Sequence, residues 1–189
     1  MKKSFILIAV AAFAVGTVCS SCSPKSVVAV AGEKEVSVPC DDKRTDKDFF
    51  RGMGIGQSKD LNTARDKARM NANAELAGSI TTIIKQVQER YVNDAGQKPS
   101  DYSELFEGMT KQVVNQQISN LSVACNKTTT TTDGMYKVYM AVEANKEEVF
   151  KALEKGFEAE KKLETLFNRE KFRQNFDAEM ADFAKKQGY

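Results

Sequence analysis

The placement of glycine and alanine in one stretch of this chain constrains its fold more than any other feature. The segment GMGIG, residues 52–56, follows two phenylalanines, and this mixture of aromatic, branched and glycine residues predicts a strand over residues 48–58. From Leu61, apolar residues recur every three or four positions for about eight turns, which predicts a helix with one face toward a core. Its first half is rich in alanine, and glycines in the strand would let Ala64 and Ala68 pack closely, so we expect the helix to lie directly on the sheet.

Further elements follow from capping residues, turns and periodicity. Asp60 is placed to cap the first helix, and the spacing of Asp101 and Glu104 predicts a capping box for a second. Alternating apolar residues on both sides of Asp133-Gly134 predict a β-hairpin. Asn145 and Glu148 form another capping-box pattern. After them the helical periodicity runs almost to the end of the chain, which leaves room for a break near Asn168.

This order predicts an α+β fold: an antiparallel sheet built as strand, helix, helix and hairpin, with helices packed on one face and a long C-terminal helix. The expected organisation is a signal peptide over residues 1–21, a lipidated tether and extended lead-in over 22–47, an α+β domain over 48–155 and a helical extension over 156–189. A continuous helix over residues 146–186 would reach about 60 Å. Its distal apolar face, with Phe172 and Phe176, must then fold back on the body or pair with another chain, and self-association is slightly favoured.

The first 21 residues have the pattern of a signal peptide. MKK forms a basic start, and the apolar run after it is about 15 residues long, shorter than the roughly 20 needed to cross a bilayer. Cys22 follows the small residues Ser20 and Ser21, as a lipoprotein cleavage site requires, whereas Cys19 follows the branched Val18. We therefore predict lipidation of Cys22, palmitate included, and a lipid anchor in the bacterial cell envelope, with the outer membrane as the favoured location.

Composition argues against several classes of function. The chain contains no histidine, so it lacks the commonest general base and the commonest metal ligand. Removing Lys2 and Lys3 with the signal peptide leaves 26 basic against 26 acidic residues, which argues against a nucleic-acid partner. Because no hydrolase or metalloprotease motif is present either, we expect no enzymatic activity, no metal and no cofactor.

Three local motifs have structural explanations. GMGIGQ resembles a dinucleotide-binding loop, but the third glycine of that motif would fall at Gln57, and a glycine-rich strand explains the residues better. The threonines from Thr128 to Thr132 suit a hairpin arm better than an adhesive surface, because threonine is a good strand former. The pair Cys19 and Cys22 would suggest zinc or redox chemistry, but one of these cysteines should leave with the signal peptide.

The two remaining cysteines predict a disulfide between Cys40 and Cys125. An exported protein reaches an oxidising compartment, where two such thiols tend to pair. Cys125 lies on the apolar face of a predicted strand, and Cys40 ends an extended segment in which Val36 and Val38 alternate like a short strand. The alternative is a buried, free Cys125 with an exposed Cys40.

The GMGIG strand, the helix opening ARDKARMNANAELAGSI and the hairpin NLSVACNKTTTTTDGMYKVYMAVEA resemble a family of small bacterial lipoproteins. That family is typified by the twenty-kilodalton antigenic lipoprotein, and the module is similar to the N-terminal domain of flagellar assembly protein T. The resemblance covers residues 48–155, and the flanking segments look like versions in gut Bacteroidetes. It implies helices packed on an antiparallel sheet and no enzymatic activity.

These observations favour a non-catalytic envelope lipoprotein with a protein-binding or structural role. Its expected partners are membrane lipid through the acylated N-terminus and a protein, or a second copy through the C-terminal helix. A glycan-binding or cell-wall-binding surface protein is the alternative, and it would need exposed aromatic residues, for which Tyr139 and Tyr91 are the candidates.

Overall fold

The computed structural model describes residues 36–186, and the lipidation site predicted at Cys22 lies outside them. The described chain is an α+β fold with a three-stranded antiparallel sheet, as the sequence predicts. The elements are β1 (Phe49–Ser58), α1 (Leu61–Asp94), a 3-10 helix (Pro99–Tyr102), α2 (Ser103–Ile118), β2 (Ser122–Thr130), β3 (Tyr136–Asn145), α3 (Lys146–Ala159), α4 (Lys161–Glu164) and α5 (Arg169–Lys186).

The sheet has the order β1-β3-β2, so the predicted hairpin of β2 and β3 is present and its second strand is central. Gly54 pairs with Met140 across β1 and β3, and Thr128 pairs with Val138 across β2 and β3. A bulge interrupts β2 between Val123 and Cys125. The alternation at residues 36–38 does not form a strand, and Val36 is 76% exposed.

The first half of α1 lies directly on the glycines of β1. A Cβ atom added to Gly54 would fall less than 3.0 Å from backbone atoms of Ala68 and Ala72, and Gly52 and Gly56 are equally close to the helix backbone. Only glycine fits here, because real Cβ atoms do not approach other atoms so closely. The helix fills the glycine face, so these glycines form a packing surface and not a loop for a phosphate group.

Two of the three predicted helix caps are present. Asp60 Oδ1 accepts a hydrogen bond from Thr63 N at 2.8 Å, and Asn145 Oδ1 accepts one from Glu147 N at 2.8 Å. The predicted capping box of Asp101 and Glu104 is wrong, because Asp101 lies inside the 3-10 helix and the residue before α2 makes no side-chain cap.

The C-terminal segment is not one continuous helix. The chain is extended at Glu160, and it turns again between α4 and α5, where Asn168 Oδ1 accepts a hydrogen bond from Lys171 N at 2.9 Å. The hydroxyl of Tyr91 holds this turn, because it donates to Leu166 O at 2.7 Å and accepts a bond from Asn168 N. The chain therefore breaks near Asn168, where the sequence left room for a break, and also at Glu160.

Helix α5 folds back along α1. Asn175 Nδ2 donates to Asp94 Oδ2 at 3.1 Å, and Arg90 pairs with Glu179 at 2.6 Å, which fixes the two helices in opposite directions.

The predicted boundary between residues 155 and 156 falls inside α3, and residues on both sides contribute to one core. The apolar face on which the expectation of self-association depended is thus covered within the chain. The buried apolar side chains after residue 155 are Phe157, Leu163, Phe172, Phe176 and Met180.

Candidate protein-binding edge of the sheet

One face of the sheet packs on the helices. The other, which we call the open face, carries three rows of side chains beyond the β2 bulge and a fourth row, of Ser122, Glu143 and Arg51, before it. Each row crosses from β2 through β3 to β1, because residues that pair directly share a face. The three rows beyond the bulge are Cys125, Ala141 and Met53; Lys127, Tyr139 and Ile55; and Thr129, Lys137 and Gln57.

The segment before β1 crosses the open face at its first row. Cys40 and Cys125 lie at disulfide-bonding distance, with sulfurs 2.06 Å and Cα atoms 5.7 Å apart, so the predicted pairing has the geometry that it requires. Cys40 is 5% exposed, and the alternative of an exposed Cys40 is therefore wrong. At the other end, the Thr45 hydroxyl accepts a bond from Arg51 N at 2.9 Å and donates to Arg51 O at 3.2 Å. This segment therefore links both edge strands of the sheet.

The outer edge of β1 is closed by side chains. In an edge strand, every second residue points its backbone N–H and C=O away from the sheet, where they can pair with another chain. On β1 these groups belong to odd-numbered residues: Asp46 bonds to N and O of Phe49, and Thr45 bonds to N and O of Arg51. Three side chains of α1 each bond to one outward group of the next three: Met53 N donates to Glu75 Oε2 at 2.9 Å, Asn71 Nδ2 donates to Ile55 O at 2.8 Å, and Lys67 Nζ donates to Gln57 O at 3.3 Å.

No residue in the described range 36–186 pairs with the outer edge of β2, which we call the open edge. Since the odd-numbered residues of β1 point outward, its even-numbered residues bond to β3, as in the pair of Gly54 and Met140. The odd-numbered residues of β3 then bond to β2, as in the pair of Tyr139 and Lys127. Within residues 36–186, no hydrogen bond beyond the sheet ladder satisfies the backbone groups left over on β2, and their side chains are exposed. These outward residues are Asn126, Thr128 and Thr130.

A groove of about 760 Å³ lies between α2 and α3. Its floor includes Met109, Val113 and Gly156. Its rim mixes acidic, basic and amide side chains, so the groove favours no one class of ligand.

The charged cluster between α3 and α5 has a structural role. Arg173 Nη1 donates to Glu147 Oε2 at 2.8 Å and its Nε donates to Asp177 Oδ2 at 3.0 Å, while Lys146 Nζ lies 2.6 Å from Asp177 Oδ1. The hydrogen bonds from Arg173 hold the pKa of Glu147 below its usual range. Burial raises the pKa of Asp177, but hydrogen bonds from Lys146 and Arg173 outweigh it and lower that pKa. The cluster therefore fastens α5 to the start of α3.

The two tyrosines considered for glycan binding lie in different places. Tyr91 is 3% exposed, and its ring packs at 5.2 Å from that of Phe172, so it offers no surface to a sugar. Tyr139 is half-buried in the middle row of the open face, with Lys137 Nζ 5.3 Å from its ring centre.

Residues 36–186 contain no cluster of three or more candidate ligands for a metal ion. None of the described helices combines the length and hydropathy needed to cross a membrane.

Comparison with known proteins gave no match: no family model, no curated protein and no solved structure is significantly similar to this chain. The resemblance to the small lipoprotein family remains a prediction. The open edge of β2 is accordingly the feature from which we argue function.

Proposed function

We propose that this protein is a non-catalytic lipoprotein of the bacterial cell envelope that binds an extended segment of another protein along the outer edge of β2. Lipid on Cys22 anchors it, and the sequence favours the outer membrane as the location. The fold then serves as a rigid frame that presents one strand edge to a partner.

The contrast between the two edges of the sheet carries this proposal. Native proteins block exposed strand edges because an unpaired edge is a template for another chain. Here every outward residue of β1 from Arg51 to Gln57 is engaged by a side chain, whereas no described residue blocks β2 at Thr128. Strand addition at an open edge is a recurring mode of peptide recognition. An edge left open in a chain that closes its other edge supports a binding role.

The anchoring of β2 adds to this argument. The bond between Cys40 and Cys125 joins the first half of β2 to the segment that leads toward Cys22. A lipid on Cys22 would therefore keep the open edge near the membrane, on a tether of fewer than 20 residues. The proposed role needs no catalytic group, because a strand edge supplies hydrogen bonds and no nucleophile or general base.

Site-specific photocrosslinking in cells tests the binding role. A photoreactive residue at Thr130 is combined with Thr128→Pro, which removes an outward N–H, or with Thr128→Val, which keeps it. We expect a crosslinked adduct in the Val background and its loss in the Pro background, with circular dichroism verifying that both proteins fold. An adduct of equal yield in both backgrounds would contradict binding through the edge. The same photoreactive residue, placed instead at the exposed Met70 of α1, is the positional control.

Fractionation tests the anchor separately. Cys22→Ala should release the protein from the membrane, since the rest of the mature sequence has no run apolar enough to hold a bilayer. Membrane retention of this variant would contradict lipidation at Cys22.

A further inference from the structure

The open face of the sheet is basic where the open edge lies. Lys127 is on β2 and Lys137 on β3, and their register places them as diagonal neighbours on this face. Neither lysine belongs to an ion pair among residues 36–186, and Lys137 is directed over the ring of Tyr139, toward the row of Lys127. The acidic Glu143 is on the same face, but at the opposite end, where it binds Arg51 at 2.8 Å. Within the described residues, the positive charge at this edge is therefore not compensated by an ion pair.

A strand added outside β2 would place one of its side chains directly beside Lys127. Paired residues on neighbouring strands have Cβ atoms about 4.5–5.5 Å apart on the same face, so the two side chains would interact. An acidic side chain is favourable at this position and a basic one is unfavourable. Any extended segment can make the backbone hydrogen bonds to β2. The residue placed beside Lys127 therefore determines which segments bind more tightly.

We infer that the partner of the β2 edge is an extended acidic segment, with an aspartate or glutamate beside Lys127. This inference rests on the proposed function and specifies its partner. A second copy of β2 does not fit, because the strand from Ser122 to Thr130 contains no acidic residue and two paired copies would bring two Lys127 side chains onto one face.

Two synthetic peptides serve as probes for this selectivity. Both are heptapeptides of alternating threonine and valine, one with glutamate and one with lysine at the centre, and each is titrated up to about 1 mM into the full-length protein. We expect the acidic peptide to bind about fivefold more tightly at low salt, and the preference to shrink as salt screens the charges. Lys127→Glu should reverse the preference, while Lys171→Glu, on the exposed side of α5, should leave it unchanged.

The outcomes separate this inference from the proposed function. Equal affinity for both peptides, lost in Thr128→Pro, would overturn the acidic preference and keep the binding edge. Failure of both peptides to bind, or equal binding to Thr128→Pro, would overturn both. Concentration-dependent dimers that Thr128→Pro abolishes would identify a second copy as the occupant. Slow amide exchange at Asn126 and Thr128 in a free monomer would identify a segment of the chain itself.

Discussion

Asn71 Nδ2 donates a hydrogen bond to the carbonyl oxygen of Ile55 at 2.8 Å, across the boundary between α1 and the outer edge of β1. Four residues along a helix rise about 6.0 Å, and two residues along a strand rise about 6.6–6.8 Å. Side chains four apart on α1 therefore meet backbone groups two apart on β1. Lys67, four residues before Asn71, bonds to Gln57 O, and Glu75, four residues after Asn71, bonds to Met53 N.

Removing these side chains should open the closed edge. We expect Asn71→Ala/Glu75→Ala to associate through β1 as concentration rises, because two outward backbone groups lose their partners. Sedimentation at several concentrations measures this. The matched control is Asn62→Ala/Asp66→Ala, two exposed positions of α1 that make no described hydrogen bond to β1. A monomeric Asn71→Ala/Glu75→Ala variant at all concentrations would show that these bonds do not protect the edge.

Replacing glycine with alanine should change the free energy of unfolding in opposite directions at two positions. Gly54→Ala should lower the free energy of unfolding by about 3 kcal/mol or more, because its Cβ would overlap the backbone of Ala68 and Ala72. Gly78→Ala, on α1, has nothing within 4 Å of the added atom and should raise stability by up to about 1 kcal/mol. Urea denaturation of both variants measures the difference. Equal effects would contradict the close packing of α1 on β1.

The covalent link between the lead-in and β2 should contribute strongly to stability. Closing a loop with a sequence separation of 85 residues stabilises the folded state by about 4–5 kcal/mol in the chain-entropy model. Cys40→Ser/Cys125→Ser should therefore unfold at much lower urea concentration than the wild type under oxidising conditions. Reductant should destabilise the wild type and leave the double variant unchanged. Two free thiols in wild-type protein purified without reductant would contradict the bond.

The ion cluster predicts how stability depends on pH. The pKa of Glu147 is lowered in the folded state from an ordinary value of 4.5, so its contribution is present above that pH and is lost as pH falls through the folded pKa. We expect the unfolding free energy of the wild type to drop more steeply below about pH 4.5 than that of Glu147→Gln. Glu164→Gln, exposed and outside the described ion pairs, is the control. Parallel curves for Glu147→Gln and wild type would contradict this role.

The predictable parts of the fold have local signals. The alternating glycines, the alanine spacing and the Asp133-Gly134 turn each specify a neighbouring element, and the structure contains all three. The pairing of Cys40 with Cys125 followed from elimination among the cysteines of an exported chain. These signals sufficed because each acts within one element or between neighbouring elements, and because only one pair of cysteines was left to form a disulfide.

The remaining features depend on distant residues. The turn before α5 is held by the hydroxyl of Tyr91, more than 70 residues away, so helical periodicity alone could not show where the chain folds back. Likewise, Asn71 and Glu75 have the pattern of an ordinary solvated helix face. Their spacing of four becomes informative only when the position of β1 beside α1 is known.

Amide hydrogen exchange tests the central claim, that β1 is a closed edge and β2 an open one. In the isolated monomer, Met53 N–H donates to Glu75 and should exchange slowly, whereas the outward Thr128 N–H should exchange at nearly the rate of an unprotected amide. The backbone N–H groups of β1 and β2 that bond to β3 serve as the internal reference for slow exchange. The account predicts fast exchange at Asn126, Thr128 and Thr130 together with slow exchange at Arg51 and Met53. Protection of Thr128 equal to that of Met53 in the monomer would contradict it.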